Sequence, residues 1–131
     1  MRAHRLLGRL LLASIGAACA DSPTAENRAG VFLAVLGEAQ AGASLDVRLV
    51  NHSTATVRVG WLPCYVETDH LEGRRWTESP RERGGCILPE YTIEPGKFFP
   101  FPLSAPATAG TYRLRTLVAG DSVFSAAFTV R

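Results

Sequence analysis

Glu67, Asp69 and His70 stand within four residues of one another in this chain of 131 residues, and they are the first candidates for chemistry. Period-two geometry would put Glu67 and Asp69 on one face of a strand, and His70 could add an imidazole ligand for a metal. A divalent site normally wants four or more ligands. No further ligand stands at a suitable spacing, so neither a metal nor a cofactor is expected. His52, between Asn51 and Ser53, reads as a solvated turn residue. The chain carries no G-x-S-x-G, no P-loop lysine motif and no H-E-x-x-H. The expectation is a protein that is not an enzyme.

The cysteines carry more information. Cys64 and Cys86 form an even pair with no C-x-x-C spacing. In an exported chain such a pair is expected to oxidise, and a loop of this length stabilises a fold by about 3 kcal/mol in the chain-entropy model. Export itself is read from the N-terminus. Arg2, His4, Arg5 and Arg9 form a basic start, and Leu10 to Ala18 is an uncharged apolar run. That run is too short to span a bilayer, which needs about 20 residues, and it matches the layout of a secretory leader.

Cys19 closes the leader, and two readings of it compete. Ala17-Ala18-Cys19 resembles the end of a bacterial lipobox, although Gly16 stands where leucine is usual. In that reading Cys19 is lipidated and becomes the first mature residue. Two or more acyl chains would then hold the protein on a membrane surface. The alternative is an A-x-A cleavage after Ala20 that releases a soluble chain starting at Asp21. The lipid anchor is the favoured reading, which puts the protein in the cell envelope outside the cytoplasm. Asn51-His52-Ser53 matches the N-glycosylation triplet, which a bacterial leader makes incidental.

Charge changes once the leader is gone. Arg2, Arg5 and Arg9 leave with it and no acid does, taking the 14 basic residues to 11 against 12 acidic ones, a formal charge of −1. The apparent basicity of the whole chain belongs to its leader. A nucleic-acid partner, which would want a basic face, is not expected.

One basic cluster remains. Arg74, Arg75, Arg81 and Arg83 gather around Trp76, and arginine and tryptophan are enriched in binding hot spots. A loop closed at its base by a disulfide is also pre-organised for binding. Residues 69–85 are therefore the candidate contact surface for a protein partner in the envelope. The plainer alternative is that Glu72, Glu78 and Glu82 neutralise the arginines and the loop is merely solvated.

The elements that must position these residues are strands. Residues 1–19 form the leader and 20–30, polar and small, a flexible tether. From Val31 to Arg131 short apolar runs recur between turn signals every 8–12 residues, the layout of a sandwich or barrel. Val31–Leu36 is the first strand. Leu45, Val47 and Leu49 alternate with Asp46 and Arg48 in the second, and Val57, Val59 and Trp61 alternate with polar residues in the third. Tyr65–Thr68 leads into a turn at Asp69–Gly73, and Arg74–Thr77 returns with Trp76 pointing inward. Glu78–Gly85 reads as an exposed loop. Tyr91–Ile93 runs into Glu94-Pro95-Gly96, a turn with Pro95 pre-setting φ and Gly96 supplying φ > 0.

In K-F-F-P-F-P-L, Pro100 and Pro102 lose their N–H groups on one edge, so this strand belongs at a sheet border. The last pair is a hairpin. Tyr112, Leu114 and Thr116 share a face opposite Arg113 and Arg115, and Phe124, Ala126, Phe128 and Val130 share a face on the return.

The order L-x-V-x-L-x-N (Leu45 to Asn51), Cys64, Trp76, E-P-G (94–96), A-G-T-Y-R-L (109–114) and S-A-A-F-T-V (125–130) resembles bacterial immunoglobulin-like domains of exported proteins. The resemblance covers residues 31–131. It implies an all-β, immunoglobulin-like antiparallel β-sandwich of about seven to eight strands. Tyr112 would then be a tyrosine-corner analogue, its hydroxyl bonded to nearby backbone, or else a plain core tyrosine. The cysteines depart from the antibody pattern, since Cys64 follows the third strand and Cys86 precedes the E-P-G turn. A looser similarity runs to the bacterial intracellular proteinase inhibitor family, through the asparagine-ended strand and the proline-glycine turn. The expected function is a non-catalytic, envelope-anchored binding or structural module of a bacterial lipoprotein. The alternative is an exported hydrolase inhibitor presenting a disulfide-tied loop.

Overall fold

The protein is described by a computed structural model over residues 30–78, 86 and 89–131. The leader, Cys19, nearly all of the tether, and Arg81 and Arg83 lie outside the described residues. Ten strands and one helical turn follow in chain order: β1 (Val31–Leu36), β2 (Ser44–Asn51), β3 (Val57–Val59), α1 (Leu62–Tyr65), β4 (Glu67–Glu72), β5 (Arg75–Glu78), β6 (Tyr91–Ile93), β7 (Phe98–Ser104), β8 (Gly110–Val118), β9 (Asp121–Phe124) and β10 (Phe128–Val130).

They pack as an all-β antiparallel sandwich. One sheet has the order β1-β2-β7; the other has β10-β8-β4-β5, with β9 also paired to β8, and β3 and β6 make a short separate ladder. The alternation in the sequence explains the core. Leu45, Val47 and Leu49 of β2 point inward with Val31, Leu33 and Phe101 from the same sheet, and meet Tyr112, Leu114, Val118, Val123 and Val130 of the other. Such a two-layer burial is what each half-apolar sheet requires.

Two local expectations hold in detail. Pro100 and Pro102 sit on β7, which among the described residues is an edge strand paired only with β2. Residues 94–97 form the E-P-G turn, with Gly96 at φ 77° and the Lys97 N–H donating to the Glu94 carbonyl. Asn51 anchors that turn to β2. Its backbone pairs with Gly96 and Lys97, its amide donates to the Ala55 and Ile93 carbonyls, and the residue is fully buried.

Four details differ from the sequence reading. First, the third strand stops at Val59, and Trp61 precedes a single helical turn with Pro63 in its first turn. Gly60 makes room there, since a Cβ would lie 2.7 Å from the Tyr65 ring. Second, the 69–73 turn is only Gly73-Arg74, because β4 and β5 pair all the way to Glu72 and Arg75.

Third, the return strand is broken. Between the pairs Arg115–Phe124 and Tyr112–Phe128 the returning chain holds one residue more than β8 does. This is a β-bulge, and an extra residue shifts the alternation. Val123 therefore faces the core, while Phe124 goes to the outer face instead of joining Phe128 and Val130. Ser125 repairs the ladder: its N–H donates to the Leu114 carbonyl and its hydroxyl accepts the Leu114 N–H at 2.8 Å. This break, with the β3–β6 ladder, raises the strand count above the expected seven to eight. Fourth, Trp76 is not inward. It is half-buried on the outer face, outside the core cluster.

Candidate functional site

The residues singled out for chemistry meet on the outer face of the sheet built from β4, β5, β8 and β9. Strand β4 is bound on both sides, to β8 with Asp69 opposite Arg113 and Glu67 opposite Arg115, and to β5 with Asp69 opposite Glu78. Period two thus places Glu67 and Asp69 on one face, and brings Arg113 and Arg115 to meet them across the strand.

The arrangement is a closed charge ladder. Asp69 accepts from Arg113 Nε at 3.0 Å and from Arg115 at 3.4 Å, and Arg115 also pairs with Glu78 at 3.3 Å. The Asp69 side chain is 5% exposed and the two arginines 26% and 24%. A carboxylate so buried is tolerable only when paired and hydrogen-bonded, and two guanidinium groups supply both. Burial alone would lower the pKa of Arg115, but its hydrogen bond to Asp69 and the attraction of Asp69 and Glu78 outweigh that and raise it above the ordinary arginine value. A raised cationic pKa contributes stability that is lost only as pH rises through the folded value. The Arg115 guanidinium therefore stays charged at every ordinary pH.

Aromatic rings extend the ladder. The Arg113 guanidinium lies between Trp76, 4.5 Å away, and Phe124, 4.2 Å away. The bulge that turned Phe124 outward makes this sandwich. Trp76, expected as part of a contact surface, is thus occupied with Arg113, whereas Arg74 and Arg75 at the hairpin tip are exposed.

His70 points the other way, with the residues of β8 that face the core. Its ring stacks on Tyr112 at 4.6 Å and its Nδ1 lies 3.6 Å from Glu72. It does not share a face with Glu67 and Asp69, which separates the three candidate ligands. No group of three or more metal-binding side chains is assembled among the described residues. His52 is exposed and lies edge-on to Phe32 at 5.3 Å. Asn51 is fully buried and its amide is engaged, so the triplet it begins offers no acceptor.

Beside the ladder lies a cleft of about 370 Å³ that sequence reasoning missed. Its wall is α1 and the end of β3, its floor includes Glu67, Arg115 and Thr116, and an Arg58–Glu90 ion pair stands at one side. Glu67 is buried there and engaged with a partner. Tyr65 and Leu117, 43% and 64% exposed, line it. The signal for Leu117 was present in the alternation of β8, where an apolar residue stands at an outward position after two arginines.

The cleft is held by the disulfide. Cys64 on α1 is bonded to Cys86, with Cα atoms 5.9 Å apart. The Thr116 hydroxyl donates to the Tyr65 carbonyl at 3.1 Å and fixes the other end of α1 to β8. A disulfide marks a non-reducing compartment outside the cytoplasm. No helix among the described residues is long and apolar enough to cross a membrane. Comparison with protein-family models, with curated proteins and with solved structures finds no match to this chain.

Proposed function

We propose that the chain is a non-catalytic, envelope-anchored immunoglobulin-like module of a bacterial lipoprotein that binds a protein partner. The immunoglobulin-like reading draws support from strand order. β1, β2 and β7 take the order A-B-E of an immunoglobulin ABED sheet without its D strand, and β4, β8 and β9/β10 take the places of C, F and G, with β5 added beside β4. Tyr112 adds to it, since its hydroxyl donates to the Thr108 carbonyl four residues upstream at 2.8 Å, as in a tyrosine corner. The anchor rests on Cys19 at the end of the leader, and the compartment on the Cys64–Cys86 bond.

One observation carries the binding role. The side chains with chemical potential are spent on one another in the ladder, while Tyr65 and Leu117 stay exposed on a cleft braced by a disulfide. Exposed apolar groups on a rigid, polar-rimmed surface are the usual mark of a contact site. The test is photo-cross-linking in the native host, with a benzophenone amino acid at Leu117 or Arg74 of the full chain, followed by mass spectrometry. The reading expects acyl groups on Cys19 and one protein adduct that Leu117→Glu removes when the probe sits at Arg74. A mature chain starting at Asp21 would overturn the anchor, and no adduct at either site would overturn the binding role.

A second reading, an exported hydrolase inhibitor presenting a disulfide-tied loop, is favoured by the Cys64–Cys86 bond, which joins positions 22 residues apart in the chain. It expects near-stoichiometric inhibition of a protease that is lost on reduction. Absence of inhibition across the main protease classes would retire it.

A further inference from the structure

The outer face of the β1-β2-β7 sheet has a composition unlike the surface of an ordinary sandwich. Leu45, Val47 and Leu49 point into the core, so Asp46, Arg48 and Val50 point out. Register then sets out three rows across the strands: Phe32, Val50 and Phe98; Ala34, Arg48 and Pro100; Leu36, Asp46 and Pro102. Seven of these nine side chains are apolar. Phe98 is 48% exposed and Leu36 39%, and Pro100 and Pro102 are exposed beside them. An antiparallel sheet with one face in water should alternate apolar-in and polar-out; β2 does so at Asp46 and Arg48, but β1 and β7 carry apolar residues outward as well. Contiguous exposed apolar surface marks an interaction site.

We infer that this face pairs with the same face of a second copy of the chain. The charges decide the occupant. The face carries one cation, Arg48, and one anion, Asp46, in adjacent rows of the central strand. A second copy turned over about an axis running across the strands at Val47 lays each Asp46 over Arg48 of the other copy. Ala34 then meets Leu36, and Pro100 meets Pro102. Two-fold interfaces are self-complementary in this way, and sheets stack about 10 Å apart, within reach of an arginine. Arg48 is already directed along the face, its guanidinium 4.2 Å from the Phe98 ring. A lipid surface fits less well, because Asp46 in the middle of the face would enter the headgroup and acyl boundary without a cation. Edge pairing is not the route, since the prolines of β7 remove its outward donors. Three rows across three strands cover roughly 300 Å² by strand spacing and rise, below the about 800 Å² per partner of a standard interface, so the pairing is reversible.

The test uses two differently tagged copies of the full chain in cells, with a benzophenone amino acid at position 36. Copy-to-copy adducts are expected. Asp46→Arg or Arg48→Asp should each reduce them at least tenfold, and the double reversal should restore them. Equal levels and equal thermal melting of the variants exclude loss of the fold. A probe at Leu117 on the opposite face should give no such adduct. Absence of the adduct in the unsubstituted chain overturns the inference, whether the face is covered by residues 20–30 or by lipid. An adduct indifferent to both single reversals overturns it as well.

Discussion

The two outer faces of this sandwich solve the same problem in opposite ways. On the β4–β5–β8–β9 face every group of the ladder is consumed by a neighbour: Asp69 by Arg113 and Arg115, Arg115 again by Glu78, and Arg113 by the rings of Trp76 and Phe124. On the β1–β2–β7 face the two charges stand among apolar side chains, and the carboxylate of Asp46 is exposed. Both faces have an arginine over an aromatic ring, Arg113 and Arg48. Only the first arginine is also held by a buried carboxylate. Residue type alone therefore does not tell a structural charge from an available one; burial of its partner does.

Substitutions can break that contrast. The largest expected effect is on the disulfide that holds α1. Replacing Cys64 and Cys86 together by serine should cost about 3 kcal/mol from the freed loop, read as a lower midpoint in urea. It should also speed hydrogen exchange around α1 before either sheet. Asp69→Ala should come next, at about 2–3 kcal/mol. That is below the loss for a fully buried pair, because both arginines keep a quarter of their surface in water. The matched change on the other face, Asp46→Ala, should move the midpoint by less than about 0.5 kcal/mol. Equal losses at Asp69 and Asp46 would erase the distinction between the faces.

The arginines sharpen it further. Arg113→Ala should cost about 1–2 kcal/mol, from a charge-assisted hydrogen bond and two ring contacts, and should change the tryptophan fluorescence of Trp76. Arg48→Ala should cost about 0.5 kcal/mol, the value of one exposed ring contact. The smallest effect is a gain. Ala119 holds φ 48° in the two-residue turn between β8 and β9, a conformation that costs an L-residue about 1–2 kcal/mol. Part of that returns in Ala119→Gly, offset by the greater freedom of glycine when unfolded. A rise of about 0.5 kcal/mol in urea denaturation is expected.

What was legible in the sequence is what depends on neighbours in the chain. The alternation of β2 and β8, the proline edge of β7, the E-P-G turn and the cysteine pair each follow from a few adjacent residues. The ladder was half legible: Glu67 with Asp69 and Arg113 with Arg115 were each seen as one-face pairs, more than 40 residues apart. Their meeting depends on β4 lying against β8, and alternation does not say which strands become neighbours. The bulge was hidden for a related reason. Ser125 looks like any polar residue in a strand, and only its bond to the Leu114 N–H shows that the ladder has gained a residue there. That residue sends Phe124 outward and, with the β4–β5 pairing, draws Trp76 onto Arg113. His70 offers an imidazole by its type, but its strand position sends it to the opposite face from Asp69.

Side-chain oxidation by hydroxyl radicals tests the contrast most directly. It would be read residue by residue on the full chain at low and at high concentration. The account predicts that Leu36 and Phe98 react more slowly as concentration rises, while Tyr65 and Leu117 keep their rates. Unchanged rates at Leu36 and Phe98, or protection that appears first at Tyr65 and Leu117, would contradict it.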